Sequence, residues 1–222
     1  MEFLLDGPGP ARRNMQRDLD LLRRARPALR LYGWSPAAVS VGRGQRDDVV
    51  DEERARGLGL DHVRRPTGGG ALLHDEHEVT YAVVLPHDFP GLPGDVAGSY
   101  TFVTRPLLAA LRGLGVRAEL ASGRGDLDDL CYLRREGVHV TVGGRKISGG
   151  AQRRTGEALL QHGTLLVRRD AERMARVFGA DPTRIRATTT SLEDEGATTA
   201  RPDVEAALVQ AYREAWTPLV LA

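Results

Sequence analysis

The sequence is short of three features that would each point to a particular class of protein. It contains one cysteine, so no disulfide can form within the chain. Its apolar runs fall well short of the roughly 18 residues that a membrane-spanning helix needs. Its 31 basic and 30 acidic residues leave a net charge of +1, which argues against binding of nucleic acid through a basic surface. We therefore expect no nucleic-acid partner and no membrane partner.

The amino-terminal segment lacks the features of a secretory signal. The first ten residues, MEFLLDGPGP, contain no basic residue and no apolar stretch of the required length. Together with the single thiol, this absence predicts a cytoplasmic protein, because a reducing compartment keeps cysteines free.

Lysine is as rare as cysteine. Of the 31 basic residues, 30 are arginine and one, Lys146, is lysine. Arginine replaces lysine on most surfaces, but not where a compact ammonium must reach one atom or where the amine must titrate. Chance retention is the alternative, yet a single lysine in an arginine-rich chain makes Lys146 a candidate functional residue.

The length and the pattern of elements predict the fold class. With 222 residues, 41% apolar and 27% charged, the chain has ordinary globular composition, and we expect one domain over residues 1–222. Hairpins outnumber βαβ units, which predicts an α+β fold (α/β mixed) with a central, largely antiparallel or mixed sheet flanked by helices. We expect helices over 12–26, 47–57, 99–113, 170–178 and 202–216, and strands over 29–34, 38–42, 60–65, 79–85, 138–142 and 159–167, with another from 146 onward.

Three local features follow from residue type. Gly143-Gly144 separates two strand patterns, which is typical of a tight hairpin. Ser99 is a candidate N-cap for the helix over 99–113. The polar segment 187–199, ATTTSLEDEGATT, is expected to be an exposed loop.

A run of three glycines is the first candidate site. Arg64-Arg65-Pro66-Thr67 precedes Gly68, Gly69 and Gly70, and Leu72-Leu73-His74 follows. Consecutive glycines let the backbone approach a ligand and expose N–H groups, and the two arginines offer charge-assisted contacts to a phosphate or carboxylate. The spacing matches neither a P-loop nor a dinucleotide-binding motif. A plain turn is the alternative.

The second candidate site surrounds the only lysine. Lys146 lies in GGRKISGGAQ, between two glycine pairs. Because side chains alternate along a strand, Lys146, Ser148 and Gly150 should share one face, where a glycine leaves room for a ligand. A hairpin with an exposed lysine is the alternative.

Cysteine and histidine complete the candidates. Cys131 could be a buried structural residue, or a nucleophile if a cation such as Lys146 stabilises its thiolate. His162-Gly163 precedes an apolar strand, a plausible pocket position. The histidines show no metal-ligand spacing, so we expect no metal site.

In their order along the chain, these motifs resemble the lipoate–protein ligase and octanoyltransferase family, relatives of biotin protein ligase. The resemblance runs from about Asp20 to Leu192 and includes LRLYGW, SVGRGQ, RRPTGGGALLHDEHEVTYAV, GGRKISGGAQRR and LLQHGTLL. It implies a biotin/lipoyl protein ligase type of catalytic domain with a tunnel for a medium-chain acyl group, and a lysine, Lys146, on the acyl carbonyl or its activated phosphate. The substrate-binding residues that it implies are Arg64, Arg65, Thr67, Gly68, Gly69, Gly70, His74, Ser148, Gly149, Gly150, Ala151, His162 and Gly163.

Two branches of the family fit these motifs. Cys131 precedes Lys146 by fifteen residues, which resembles the nucleophilic cysteine of a cofactor-free octanoyltransferase branch. That branch implies transfer from octanoyl-acyl carrier protein through a Cys131 thioester to a lysine of a lipoyl domain, in a 2-oxoacid dehydrogenase or the glycine-cleavage carrier protein. The alternative is a lipoate–protein ligase, which would need ATP and Mg²⁺ and form an acyl-adenylate. We expect no carboxy-terminal accessory domain, which favours the transferase.

A biotin ligase fits the motifs less well. From another class, the chain could be a binder of acyl groups or carrier domains without turnover, although its retention of Lys146 and Cys131 argues against this.

Overall fold

The computed structural model describes residues 1–46, 50, 52–123 and 137–221, and within them it contains two β-sheets and six helices. This arrangement confirms the predicted mixed α+β class. In chain order the elements are β1 (Glu2–Gly9), α1 (Ala11–Arg24), β2 (Ala28–Trp34), β3 (Ala38–Val41), α2 (Glu52–Gly57), β4 (Asp61–Arg64), β5 (Leu72–His74), β6 (Glu78–Pro86), α3 (Val96–Gly113), β7 (Glu119–Gly123), β8 (Gly137–Val142), β9 (Arg145–Arg154), β10 (Ala158–Leu166), α4 (Ala171–Phe178), α5 (Pro182–Thr188) and α6 (Arg201–Leu221).

The larger sheet has seven strands in the order β1-β2-β6-β10-β9-β8-β7, and the smaller has three in the order β4-β3-β5. In the larger sheet the β1–β2 pair is parallel and the other pairs are antiparallel. The central strands β2, β6 and β10 are almost entirely buried, because helices cover both faces of the sheet. Apolar residues therefore run along these strands without the alternation of a half-exposed sheet.

Each face of the larger sheet packs against its own helices. On one face, Leu107 of α3 and Leu208 of α6 pack with alternate residues of β6, such as Tyr81. On the other face, Met15 and Leu22 of α1 pack against Ala82 and neighbouring side chains. The smaller sheet has a separate core that it shares with α2, α4 and α5. The second face, under α1, is the one that forms the candidate site.

Helix α1 confirms the helix predicted over 12–26 and carries an unusual buried face. It ends at Arg24, where Ala25 takes a left-handed conformation and its N–H bonds to the carbonyl of Leu22. The buried stripe holds Met15 and Leu22, as the apolar spacing predicts, but also the polar residues Asn14 and Asp18. Two polar side chains on the core face of an amphipathic helix must find partners within the sheet.

Two local expectations were wrong. Helix α3 begins at Val96, and its N-cap is Asp95, whose carboxylate accepts from the Gly98 N–H; Ser99 lies inside the helix and donates to the Val96 carbonyl. The segment 187–199 is not a fully exposed loop, because Thr189–Leu192 is buried. Its backbone is tied to the sheet by a hydrogen bond from Thr190 N to the Lys146 carbonyl, at 2.9 Å.

The predicted two-glycine hairpin was confirmed, whereas the set of predicted elements was incomplete. The hairpin between β8 and β9 turns at Gly143 and Gly144, with φ of 54° and 75°, as a two-glycine connection requires. Strands β1, β5 and β7 and helix α5 were not predicted. In the described part of the chain, no helix combines the length and the apolar character needed to cross a bilayer.

Candidate functional site

A narrow cleft lies between the two sheets and beneath helix α1. The larger sheet contributes β2, β6, β9 and β10, and the smaller sheet contributes β3 and β5. Its walls are mostly apolar or backbone, with a few polar side chains, as is typical of small-molecule sites. The lining residues are Met15, Tyr32, Trp34, Ser40, Arg65, Leu72, His74, Thr80, Gly149, Gly150, Ala151, His162, Gly163 and Thr164.

Lys146 lines a smaller cavity that adjoins this cleft. The two cavities share Leu72, Gly149 and Thr164. The Lys146 side chain is 9% exposed and runs over Gly149: a Cβ at that glycine would lie 3.1 Å from Cε and 3.4 Å from Nζ of Lys146. Gly149 therefore gives the ammonium space at the junction of the two cavities.

The prediction that Lys146, Ser148 and Gly150 share a face was wrong. The pairing of β8 with β9 shifts by one residue between Val140 and Thr141, so that Val140 is opposite Ser148 whereas Thr141 is opposite Lys146. Such a bulge reverses the alternation of side chains on either side of it. Lys146 consequently lies on the face of Gly149.

Ser148 and Gly150 belong to the opposite face. Ser148 is paired with Val140 and Leu165, which are part of the core under α3 and α6. A Cβ at Gly150 would lie 3.2 Å from the Tyr81 hydroxyl, and one at Gly163 would overlap it. The absence of a side chain at these two glycines therefore leaves space for Tyr81 on the core face. On the cleft face, only their backbone atoms line the wall.

The glycine-rich loop is held by the arginine that precedes it. The buried Arg65 guanidinium donates to the carbonyls of Gly68 and Gly70, each at 2.7 Å, and to the Ser40 carbonyl at 3.1 Å. Gly69 has φ of 91°, which favours glycine. Arg65 thus shapes the loop with its charge, and it also lines the cleft.

The neighbouring Arg64 has a similar role on the outside. Its exposed side chain donates to the carbonyls of Gly42 and Gln45, at 2.7 and 2.8 Å, and so holds the SVGRGQ loop. A Cβ at Gly42 would collide with the Gly69 carbonyl, which shows how closely the two loops meet. Arg64 does not line the cleft between the sheets.

His162 links the loop to helix α1. Its Nδ1 lies 3.1 Å from the Asp18 carboxylate, and its Nε2 lies 2.6 Å from the Thr67 hydroxyl. Because a carboxylate only accepts, we assign the proton to Nδ1, so that Nε2 accepts from Thr67. Burial lowers the pKa of His162 even though Asp18 favours the charged form, which keeps the imidazole neutral at neutral pH.

Asp18 is the centre of a buried polar network that the sequence did not point to. Besides His162 it accepts from Arg30 Nη1 at 2.7 Å and from the Tyr32 hydroxyl at 2.9 Å. Arg30 also donates to Asp6 at 2.8 Å. The only sequence indication was the position of Asp18, three residues after Met15 on the apolar stripe of α1.

His74 forms a second chain of hydrogen bonds across the cleft. Its Nδ1 lies 2.7 Å from Glu78, its Nε2 lies 2.8 Å from the Ser40 hydroxyl, and its ring stacks on Trp34 with centroids 3.9 Å apart. Thr80 donates to Glu78 at 2.5 Å. Glu78 is buried, and it was not among the predicted site residues.

The structure therefore brings seven of the predicted site residues to one cleft, with Lys146 adjoining it: Arg65, His74, Gly149, Gly150, Ala151, His162 and Gly163. Thr67 contacts His162, and the loop glycines contact Arg65. Cys131 lies outside the residues that the structure describes. Among the residues described, no cluster of three or more histidine, cysteine or carboxylate side chains could hold a metal ion.

Comparison with known proteins agrees with this geometry. Residues 10–213 match the model of the lipoyl protein ligase A/B catalytic domain. The chain is 40% identical over 155 residues to octanoyltransferase LipM of Carboxydothermus hydrogenoformans, which covers 68% of this chain and 57% of that protein. It is also 40% identical over 207 residues to octanoyltransferase LipM of Kyrpidia tusciae, covering 85% of this chain and 75% of that protein. The chain thus spans little more than half of the first relative.

Solved structures share the fold. A bipartite lipoate protein ligase from Thermoplasma acidophilum, described with its E2 lipoyl domain, superposes with a TM-score of 0.78 at 26% identity, over 97% of this chain and 84% of that one. A lipoate-protein ligase A bound with ATP gives a TM-score of 0.79 at 25% identity, over 97% and 85% of the two chains.

Proposed function

Because the chain belongs to the lipoyl protein ligase A/B catalytic domain family, we propose that it transfers a medium-chain acyl group, octanoyl, to a lysine of a lipoyl domain. The observation that carries this proposal is the placement of Lys146 where a mostly apolar cleft meets a second cavity. Forty per cent identity to octanoyltransferases supports a transferase. The cleft would take the apolar tail, and the lysine would meet the acyl carbonyl.

We propose that Cys131 is the nucleophile and that octanoyl-acyl carrier protein is the donor. In the first step the Cys131 thiolate attacks the thioester carbonyl, the new carbon–sulfur bond forms, and the bond to the carrier sulfur breaks. In the second step the neutral amine of the acceptor lysine attacks the acyl-cysteine, an amide forms, and the Cys131 thiolate is released. The carrier thiolate takes a proton from water after the first step, and the amine gives one to water in the second, so the overall reaction consumes no proton. A thiolate suits both steps because it is a good nucleophile and a good leaving group.

Lys146 would supply the positive charge for this chemistry. An ammonium beside the carbonyl stabilises both the thiolate and the oxyanion of the tetrahedral intermediate. Loss of one such donor typically costs about 3–4 kcal/mol in the barrier, or 10²- to 10³-fold in rate. The transfer needs neither a metal nor a nucleotide, since the thioester already carries the activation energy.

A reactive free thiol also bears on location. We propose a cytoplasmic enzyme, because a reducing compartment keeps Cys131 from being oxidised.

The test is the intact mass of the protein after incubation with octanoyl-acyl carrier protein in the absence of ATP. We expect an octanoyl adduct that hydroxylamine removes, that Cys131→Ser abolishes, and that an added lipoyl domain discharges to an amide on its lysine. Lys146→Gln should slow transfer by about 10²- to 10³-fold. The matched control is Arg145→Gln, whose side chain is bonded to Glu195 outside the cleft and whose loss should leave transfer intact.

A second sample, given free octanoate with ATP and Mg²⁺, addresses the ligase that the structural relatives suggest. Bound octanoyl-adenylate there, with no adduct in the first sample, would overturn the transferase proposal. Binding of the acylated carrier without turnover in either sample would make the chain a binder.

A further inference from the structure

The two ends of the cleft differ in what closes them. At one end the cleft adjoins the cavity of Lys146 through Leu72, Gly149 and Thr164. At the other end lies helix α1, which contributes Met15 to the lining. Gly149 and Ala151 form a continuous stretch of wall between these ends, because they share the face of β9 that Lys146 also occupies.

Met15 is the boundary between the cleft and the protein surface. Beyond it an open groove runs between α1 and β4, lined by Arg12, Met15, Gln16, Leu19, Glu52, His62, Val63 and Arg64. Within the described residues, Met15 is the one side chain that lines both the groove and the cleft. It is 5% exposed, so neighbouring atoms cover almost all of it.

The neighbours of Met15 at this end are fixed by hydrogen bonds. Tyr32 and His162 are both bonded to Asp18, one turn further along α1. Replacing any of these would leave a buried polar group without its partner. The thioether of Met15 needs no hydrogen-bond partner, and methionine is a flexible apolar side chain that fills irregular gaps. Shortening Met15 is therefore the change that opens this end at least cost to the rest of the site.

The stretch of wall between Gly149 and Ala151 is close in length to an acyl chain of about eight carbons. Gly149 and Ala151 span about 7 Å of wall, at the usual rise of a strand. An extended octanoyl chain is about 9 Å long, given bonds of about 1.5 Å and tetrahedral angles. A chain with its carbonyl at Lys146 would therefore end beside Ala151 and His162, where Met15 stands.

We propose that Met15 is a specificity-determining residue that sets the longest acyl chain the cleft accepts. The inference rests on the proposed acyl transfer. With a smaller side chain at this position, the cleft joins the groove past Leu19 and Val63, and a longer tail can continue into it. With a larger one, the tail must be shorter.

The experiment measures kcat/KM for acyl-carrier thioesters of six to fourteen carbons. Met15→Ala should raise the ratio of twelve-carbon to eight-carbon transfer by about tenfold or more, the usual discrimination of an apolar pocket for chain length. Met15→Phe should shift the preference to six carbons. Leu19→Ala is the matched control: it lies one turn further along α1 and lines the groove only, so its profile should equal that of the wild type.

The outcomes separate this proposal from the one on which it rests. If the wild type transfers octanoyl and Met15→Ala and Met15→Phe keep its chain-length profile, Met15 is not the determinant. If Met15→Ala fails to fold, Met15→Val and Met15→Phe answer the same question, with opposite shifts expected. If the wild type transfers no acyl group of any length, the proposed function itself fails. A shift of equal size in Leu19→Ala would also overturn the role of Met15.

Discussion

Substitution of Asp18 by asparagine should destabilise the protein more than any comparable change on helix α1. The Asp18 carboxylate is fully buried and accepts hydrogen bonds from Arg30, Tyr32 and His162. An asparagine is nearly the same size, but it carries no charge and one of its two polar atoms donates. Its one oxygen can accept either from Arg30 or from Tyr32 and His162 together, and in both cases the Arg30 guanidinium loses its buried counter-charge.

The size of the effect follows from what Arg30 retains. Breaking a buried ion pair from one side usually costs 3–5 kcal/mol, and here Arg30 keeps the partly exposed Asp6 and two contacts to Asn14, so we expect about 3 kcal/mol. For a protein of this length that corresponds to a fall of roughly 6–12 °C in Tm. The free energy of unfolding should be measured by urea denaturation, with the slope m unchanged.

The matched control for this prediction is Asp20→Asn. Asp20 lies two residues further along the same helix and accepts only from Gln16 and Arg23, both exposed. Its substitution should change stability by no more than about 0.5 kcal/mol. Adding Arg30→Met to Asp18→Asn should cost much less than the sum of the two single changes, because the unpaired charge is then gone. An Asp18→Asn protein within 1 kcal/mol of the wild type would refute the reasoning.

Two further predictions concern neighbouring glycines and an acid. Gly149→Ala should lower kcat with little loss of stability, because the new methyl group presses on Lys146. Gly150→Ala should lower stability with less effect on kcat, because its methyl group presses on Tyr81. Equal effects of the two substitutions on kcat would contradict the assigned faces. Burial and the nearby Glu78 raise the pKa of Asp75 to about 6 in the folded protein. The contribution of Asp75 to stability should therefore be present below about pH 4 and lost as the pH rises through 6. Asp75→Asn should flatten this part of the pH profile of stability, measured by urea denaturation.

The parts of the fold that sequence predicted well were those with a local physical cause. Strands β2, β6 and β10 are long apolar runs, and the Gly143-Gly144 turn needs φ values that glycine allows. Strand β1 was missed because its sequence, EFLLDGPG, contains glycine and proline and lies at a sheet edge, where pairing with β2 decides its conformation. Thr189–Leu192 looked exposed because its burial comes from contacts with β9 and β10, far away in the chain.

In the candidate site, too, the residues with a local sequence signal were found and those buried by the fold were missed. Glycine and lysine patterns led to segments that the structure places around the cleft and the adjoining cavity, because such residues are conspicuous wherever they occur. Asp18 and Glu78 were missed, since an acidic residue in a helix or strand resembles any surface charge until the fold buries it. The face of Lys146 was assigned wrongly because a one-residue bulge has no consistent sequence pattern, and strict alternation was the only available rule.

That bulge is what allows Lys146 and Gly149, which are three positions apart, to share one face of β9. Deleting a single residue between them would restore regular pairing with β8 and leave them two positions apart, so the ammonium would stay on the side of the cleft. A slip of one residue in the pairing, with the length unchanged, would instead direct the ammonium into the apolar core under α3 and α6. The site therefore depends on the register of this hairpin, which can be lost while every residue type it needs remains in place.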